Sequence, residues 1–315
     1  MKAGILYVLS AVMFFACSGG NSLVTIEMGG QRTEVASKVS KGDSVVTGIT
    51  SFHENSEISV LRPHKKGVPH GKWTWFGESG SRDTVRIYKD SLLSGKSRGW
   101  HANGELLFEQ IFKEGKKVGI WRVWFDDGTL RSIAKYDDDF LDGAVAEWFT
   151  NGVLFQLREY SDGKKDGTVS QWSPKGRLIR HSVFIQDIPH IEIQWHDSGE
   201  LRMITAYREG EEAWQIGWDM HGRRISKPLH EKHEVFRERN KLGHRKVESD
   251  FIAGKKHGVE LQWHDNGKIA VVQCYVRNRI IYERSTDEKG RFKWEIVSIK
   301  GEPLWSRKKQ AKIPS

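Results

Sequence analysis

An aromatic residue followed four positions later by glycine recurs at a nearly fixed interval along this chain, and no other feature limits its fold so strongly. The pairs are Phe76/Gly80, Trp100/Gly104, Trp124/Gly128, Trp148/Gly152, Trp172/Gly176, Trp195/Gly199, Trp218/Gly222 and Trp263/Gly267. Successive markers lie 24, 24, 24, 24, 23, 23 and 45 residues apart. The last interval is two units with one aromatic lost, at Arg239, where Gly243 keeps the register. Weaker copies at Phe52/Ser56 and Thr286/Gly290 complete eleven units over residues 47–301. A fixed period of this length is the mark of a repeat architecture.

Two more columns keep step with the marker. An aliphatic residue stands six positions after it (Ile58, Leu106, Leu130, Leu154, Leu178, Leu201, Ile269), and an aromatic twelve after it (Tyr88, Phe112, Tyr136, Tyr160, Phe184, Tyr207, Phe251, Tyr275). Seven residues beyond the second aromatic another glycine is common: Gly95, Gly119, Gly143, Gly167 and Gly258. Each unit therefore carries two turn signals separating two apolar runs.

The copy Trp124-Phe-Asp-Asp-Gly-Thr-Leu130 reads as a hairpin. Asp126-Asp127-Gly128 suits a three-residue loop whose last position is left-handed, where a side chain is costly. Counting outward pairs Phe125 with Thr129 and Trp124 with Leu130, so aromatic and aliphatic columns face each other across the strands. The second turn, as in Asp162-Gly-Lys-Lys-Asp-Gly167, reads as longer and more charged. Runs such as Gly119-Ile-Trp-Arg-Val-Trp124 favour strands, and no stretch after the leader has a helical period.

One 24-residue hairpin cannot bury enough apolar area to stand alone, so the units must stack on their neighbours. The expected fold is all-β: an elongated meander of about eleven stacked hairpins, one layer deep, with nearest-neighbour contacts only.

Phe112-Lys-Glu-Gly-Lys-Lys-Val-Gly119-Ile-Trp-Arg-Val-Trp124-Phe-Asp-Asp-Gly128 and Gly254-Lys-Lys-His-Gly258-Val-Glu-Leu-Gln-Trp263-His-Asp-Asn-Gly267 resemble the bacterial variant of the MORN repeat, as in YwqK-like antitoxins. The resemblance covers about four fifths of the chain. It implies a fold and says almost nothing of an activity. Two places depart from the pattern: Ile188-Pro189-His190 lacks its glycine pair, and residues 224–246 keep little beyond the register. The antitoxin role that the resemblance carries would need a toxin acting in the envelope.

The N-terminus sets the expected compartment. Lys2 precedes an apolar run from Ile5 to Ala16, too short for a bilayer-spanning helix of about 20 residues and proportioned like a signal-peptide core. Ala16-Cys17-Ser18-Gly19-Gly20 resembles a lipoprotein box, which makes Cys17 the lipidation site. An ordinary cleaved signal and an uncleaved membrane stub are the alternatives, since Phe14 and Phe15 fit the box poorly. The expected organisation is a lipoprotein signal peptide over 1–17, a tether and cap over 18–46, the array over 47–301 and a basic tail over 302–315. The expected location is the bacterial envelope, lipid-anchored in the outer membrane on its periplasmic or surface face. Cys274 is then the one remaining thiol, expected to be buried and inert.

The net charge is +9, with a basic run at Arg307, Lys308, Lys309 and Lys312. A solvated basic surface with a frayed basic tail accounts for this charge, and in an envelope protein the polyanions it could meet are headgroups, lipopolysaccharide or acidic polymers rather than nucleic acid.

Nothing catalytic rises above the repeat. His101, His196 and His264 each follow a marker, but in copies too far apart to share a metal. Ser161-Asp-Gly-Lys164 lies in a turn and lacks the helix its motif requires. Asp126-Asp127 and Asp137-Asp138-Asp139 do not recur at one position, as a calcium repeat demands. No cofactor is implied.

Of thirteen Trp, seven are markers (Trp100, Trp124, Trp148, Trp172, Trp195, Trp218, Trp263) and are expected in the core, next to the turn glycines Gly104, Gly128, Gly152, Gly176, Gly199 and Gly267. Off the column, Trp73, Trp75, Trp121 and Trp214 are the candidate ligand contacts, with Trp294 and Trp305 also off it. The functional expectation is a non-enzymatic scaffold that binds another envelope protein. Binding of acidic glycans or lipid headgroups through exposed Trp, Lys and Arg is the alternative, and an immunity-type role is a third. Labelled palmitate should enter the wild-type protein and be lost in Cys17→Ala; equal labelling of both would remove the lipid anchor.

Overall fold

The turn after each marker organises the chain. In the computed structural model, Phe125 donates its amide to the Thr129 carbonyl (2.8 Å) and Gly128 donates to Phe125 (3.0 Å). Gly128 sits at φ 81°, the left-handed conformation that lets three residues close the loop. The strand register shifts there, and Trp124 pairs with Leu130. The same pair, marker with marker plus six, forms in all eleven copies, from Phe52 with Ile58 to Thr286 with Phe292.

Side-chain oxygens complete several of these turns. Asp287 accepts the amides of Lys289 and Arg291 (2.9 Å each) and the Arg291 Nε (2.7 Å). Those bonds, the Arg291 backbone amide foremost, hold its carboxyl down at about 2.

The second turn is tighter than its charge pattern suggests. Asp162 and Gly163 alone make it, at φ 49° and 78°, and Ser161 pairs with Lys164. Glu114-Gly115, Asp138-Asp139, Gln186-Asp187 and Arg277-Asn278 repeat that double left-handed turn. Its twist matches that of the flanking strands, so no longer loop is needed. The expected turn residues Lys164 and Lys165 lie in the strand Lys164–Trp172 instead.

The structure describes residues 12–18, 21–28, 31–40, 43–208, 210–226, 233–299 and 302–308. All of the regular structure among them is β-strand. The expected signal peptide lies outside them over 1–11, while 12–18 run as a strand paired with Asn21–Met28. The segment expected as a tether carries the strands Asn21–Met28, Gln31–Ser40 and the start of Asp43–Phe52. In the expected basic tail, Glu302–Lys308 pairs with Phe292–Ile299, and 309–315 lie outside the described residues. No described helix is long and apolar enough to cross a membrane.

The chain forms two units, Met1–Leu141 and Asp142–Ser315. In the first, each long strand pairs antiparallel with the next in a single layer. Few of its side chains are buried: Val60, Val85 and Ile133 are the described buried aliphatics.

The second unit departs from the expected one-layer meander. Its strands from Gly143–Trp148 to Glu211–Gly217 pair in sequence, and those from His233–Arg239 to Glu302–Lys308 form a separate seven-stranded sheet. Val183, Ile191, Ile193, Ile204, Ala206 and Ile216, all fully buried, share one core with Val259, Leu261, Val272, Cys274 and Tyr282 of the second sheet. The contacts are therefore not confined to neighbouring repeats. A sheet face this rich in aliphatics must be covered, and a second sheet covers it. Cys274 is buried there as expected, and burial pushes its thiol well up.

Two outcomes follow. Ile204→Ala should destabilise the second unit by about 2–5 kcal/mol in denaturant unfolding, while Leu242→Ala, at an exposed position, should change little. Because its folded carboxyl lies below the ordinary 3.8, Asp287 contributes stability above that value, lost as pH falls through about 2. An NMR titration should place its midpoint near 2, moving upward in Arg291→Ala.

Candidate functional site

Strand alternation sorts the first unit into two unlike faces. Residues three or one before a marker point away from the marker side, because neighbouring positions alternate. Trp73 and Trp75 precede Phe76, and Trp121 precedes Trp124, so all three share the face opposite the markers. Cross-strand partners extend that face: Gly71 with Tyr88, Gly95 with Phe112, Gly99 with Phe108, and Gly119 with Tyr136.

The result is two aromatic clusters on one side of a single sheet. Trp73 packs on Tyr88 with ring centroids 4.6 Å apart, and on His64 and Trp75 at 5.6 and 5.9 Å. Trp121 lies between Phe112 (5.1 Å) and Tyr136 (4.7 Å). The two indoles are held alike: Trp73 Nε1 donates to the Pro63 carbonyl and Trp121 Nε1 to that of Ile111, both at 3.0 Å. Between them the ring of Phe108 lies directly on Gly99, where no side chain competes for the space. All seven aromatics (Trp73, Trp75, Tyr88, Phe108, Phe112, Trp121 and Tyr136) are half-buried, none fully.

Cations are built into the same face. Lys117 Nζ stands 5.1 Å from the Trp121 ring centre and 5.2 Å from that of Tyr136, while the Arg86 guanidinium lies 5.6 Å from Trp75. The marker side is different in kind. There Arg98 and Lys96 bracket Glu109 at 2.8 and 3.3 Å. Burial pushes that carboxyl up, but its bonds to Arg98 and Lys96 outweigh burial and leave it below the ordinary range.

Trp214 does not belong with the other candidates. It stands four residues before Trp218, an even interval, so it shares the marker face and lies buried in the second unit's core. Among the markers Trp218 is buried in that core, Trp195 and Trp263 pack against it, and Trp100, Trp124, Trp148 and Trp172 are half-buried. The bulge beside each marker sets it near the end of its strand. Trp294 is half-buried, and the Trp305 side chain lies outside the described residues, as does that of Cys17.

The polar residues weighed for chemistry serve the turns. The ring Nε2 of His101 donates to the Trp124 carbonyl (3.1 Å), and His196 and His264 reach Trp218 and Thr286 likewise (3.0 Å each). Asp127 accepts the amide and hydroxyl of Thr129, which hold its carboxyl down. Asp138 pairs with Lys116 and Asp139 accepts the Lys117 amide, both from the preceding repeat. Ser161 and Lys164 are simply partners across a turn. Among the described residues no three His, Cys, Asp or Glu side chains gather as a metal set would.

Two features escaped the reading of the residues. Ser170 and His181 bond at 2.8 Å across paired strands inside the core, a contact that needs the register to be seen. Arginines replace the aliphatic column at 224 and 245, and these positions were visible in the repeat alignment.

The MORN repeat variant family matches residues 117–138 and 256–277, one match in each unit, so the chain carries MORN-type repeats. No curated protein matches it. A solved structure titled "Crystal Structure of TcdB2-TccC3-TEV" is similar at 8% identity and a TM-score of 0.18, over 85% of this chain. The chain spans 17% of that protein's length, and so slight a likeness supports nothing further.

Proposed function

We propose that this MORN-repeat chain is a non-enzymatic scaffold that binds another protein through the aromatic face of its first unit. The observation that carries the reading is the line of seven half-buried aromatics on one side of a single-layer sheet. Large aromatic anchors with interspersed cations are the composition that dominates protein contacts energetically. A sheet stiffened by its own turns presents them with little ordering cost. The leader sequence supports export and a lipid on Cys17, which would confine that face to a bacterial membrane surface, the outer membrane first.

A second reading is favoured by Lys117 and Arg86 over the rings: acidic glycans or lipid headgroups would meet stacking and positive charge together. Salt separates the two, because a headgroup contact weakens steeply as ionic strength rises.

The experiment is cross-linking in whole cells from a photoreactive residue beside Trp121. Trp121→Ala or Trp73→Ala should cut the partner yield about tenfold or more while the thermal midpoint of unfolding shifts little. Undiminished cross-linking in both variants, or no protein adduct at all, would remove the proposed contact.

A further inference from the structure

Two successive units of the second half break the rule that a marker aromatic pairs with an aliphatic. Trp218 pairs with Arg224, and in the next unit Arg239 pairs with Arg245. Three of the four positions that form the apolar column elsewhere are thus arginine. Arg82 is the other substitution of this kind, single and exposed.

These arginines converge. Arg223, Arg224, Arg237, Arg239 and Arg245 line one cleft of about 230 Å³, together with Trp263 and two carboxylates, Glu238 and Glu248. Arg245 lies over the Trp263 ring at 5.8 Å. Its Nη1 is 3.1 Å from where a Cβ on Gly222 would stand, and Gly222 is at φ 71°, so glycine is what admits the guanidinium. Arg239 spends one donor on the Gly243 carbonyl (2.6 Å).

The carboxylates in and around the cleft are each paired with a cation. Asp219 binds Arg223 at 2.9 Å, Glu248 binds Arg237 at 3.1 Å, and Glu238 binds Lys246 at 2.6 Å. Asp250 takes both Arg224 and His233, and Glu248 stands 3.8 Å from the same Arg224 Nη1. Glu200 reaches toward Gly222 without closing to ion-pair distance of Arg245. Among the described residues, neither Arg239 nor Arg245 has a carboxylate partner. The Arg224 side chain is 9% exposed, and its buried Nη2 has no hydrogen-bond partner there. Such groups are costly unless something satisfies them.

We infer that this cleft binds a phosphate-type oxyanion. Guanidinium forks match a tetrahedral oxyanion bidentately, and Arg239 and Arg245, neither held by a carboxylate among the described residues, line the cleft together with the partly satisfied Arg224. The site lies wholly in the second unit and is independent of the aromatic face of the first.

The test is calorimetric titration with inorganic phosphate against chloride at constant ionic strength. Arg239→Trp with Arg245→Leu restores the pair that other repeats use, so this variant should fold with an equal or higher thermal midpoint and bind phosphate at least tenfold more weakly. Should it fail to fold, Arg239→Gln with Arg245→Gln should show the same loss. Vesicles carrying phosphatidic acid identify the source. Binding that free phosphate competes away assigns a lipid headgroup, whereas phosphate binding without vesicle binding assigns a soluble ligand, and either upholds the site. Wild-type protein indifferent to phosphate, or a folded variant that binds it equally, would overturn the inference.

Discussion

Among the described residues, most turns are hydrogen-bonded to a turn one repeat away, and the rest of the structure depends on that. On one row Asn103 Nδ2 donates to Asp126, Asn151 to Pro174 and Asn266 to Glu288, while the histidines reach the carbonyl of the next marker position. On the other row Asp139, Asp187 and Asn278 accept the amides of Lys117, Lys165 and Lys256 and donate their own amides back. A net contribution of about 1 kcal/mol per bond is modest singly. Repeated along both rows, it ties successive hairpins together at a fixed spacing. This is why the period varies so little, and why histidine and aspartate recur at the turns.

With the spacing set, the two units solve the burial problem differently. The first leaves both faces of one sheet half-open, with aromatics concentrated on one of them. The second folds its aliphatic face against a separate sheet, so Ile193 and Leu261, some 68 residues apart in sequence, share a core. The same hairpin therefore yields a half-open sheet face in one place and a closed core in the other. What differs is the residues on the marker face: Arg98, Glu109 and Arg122 in the first unit, Ile193, Ile204 and Ile216 in the second.

Much of this was legible beforehand. The pairing of Trp124 with Leu130, the left-handed Gly128 and the number of units all follow from period and turn chemistry. Strand alternation should also have placed Trp214, since an interval of four from Trp218 puts both on one side. The tight second turn was hidden because Lys164-Lys165-Asp166 looks like a loop, although their charges belong to an exposed strand start. The second layer could not be read from any local pattern, because no short-range signal says which apolar face will meet which. The arginine cleft was written in the alignment as two missing aliphatics, but the convergence of those side chains needs the fold.

The turn-on-turn register is most directly tested by nuclear Overhauser contacts in solution. The account predicts cross-strand contacts between Trp124 and Leu130, together with contacts from the Asn103 side-chain amide to Asp126 one repeat away. Helical sequential contacts through residues 119–137, or an Asn103 amide that sees only its own turn, would contradict it.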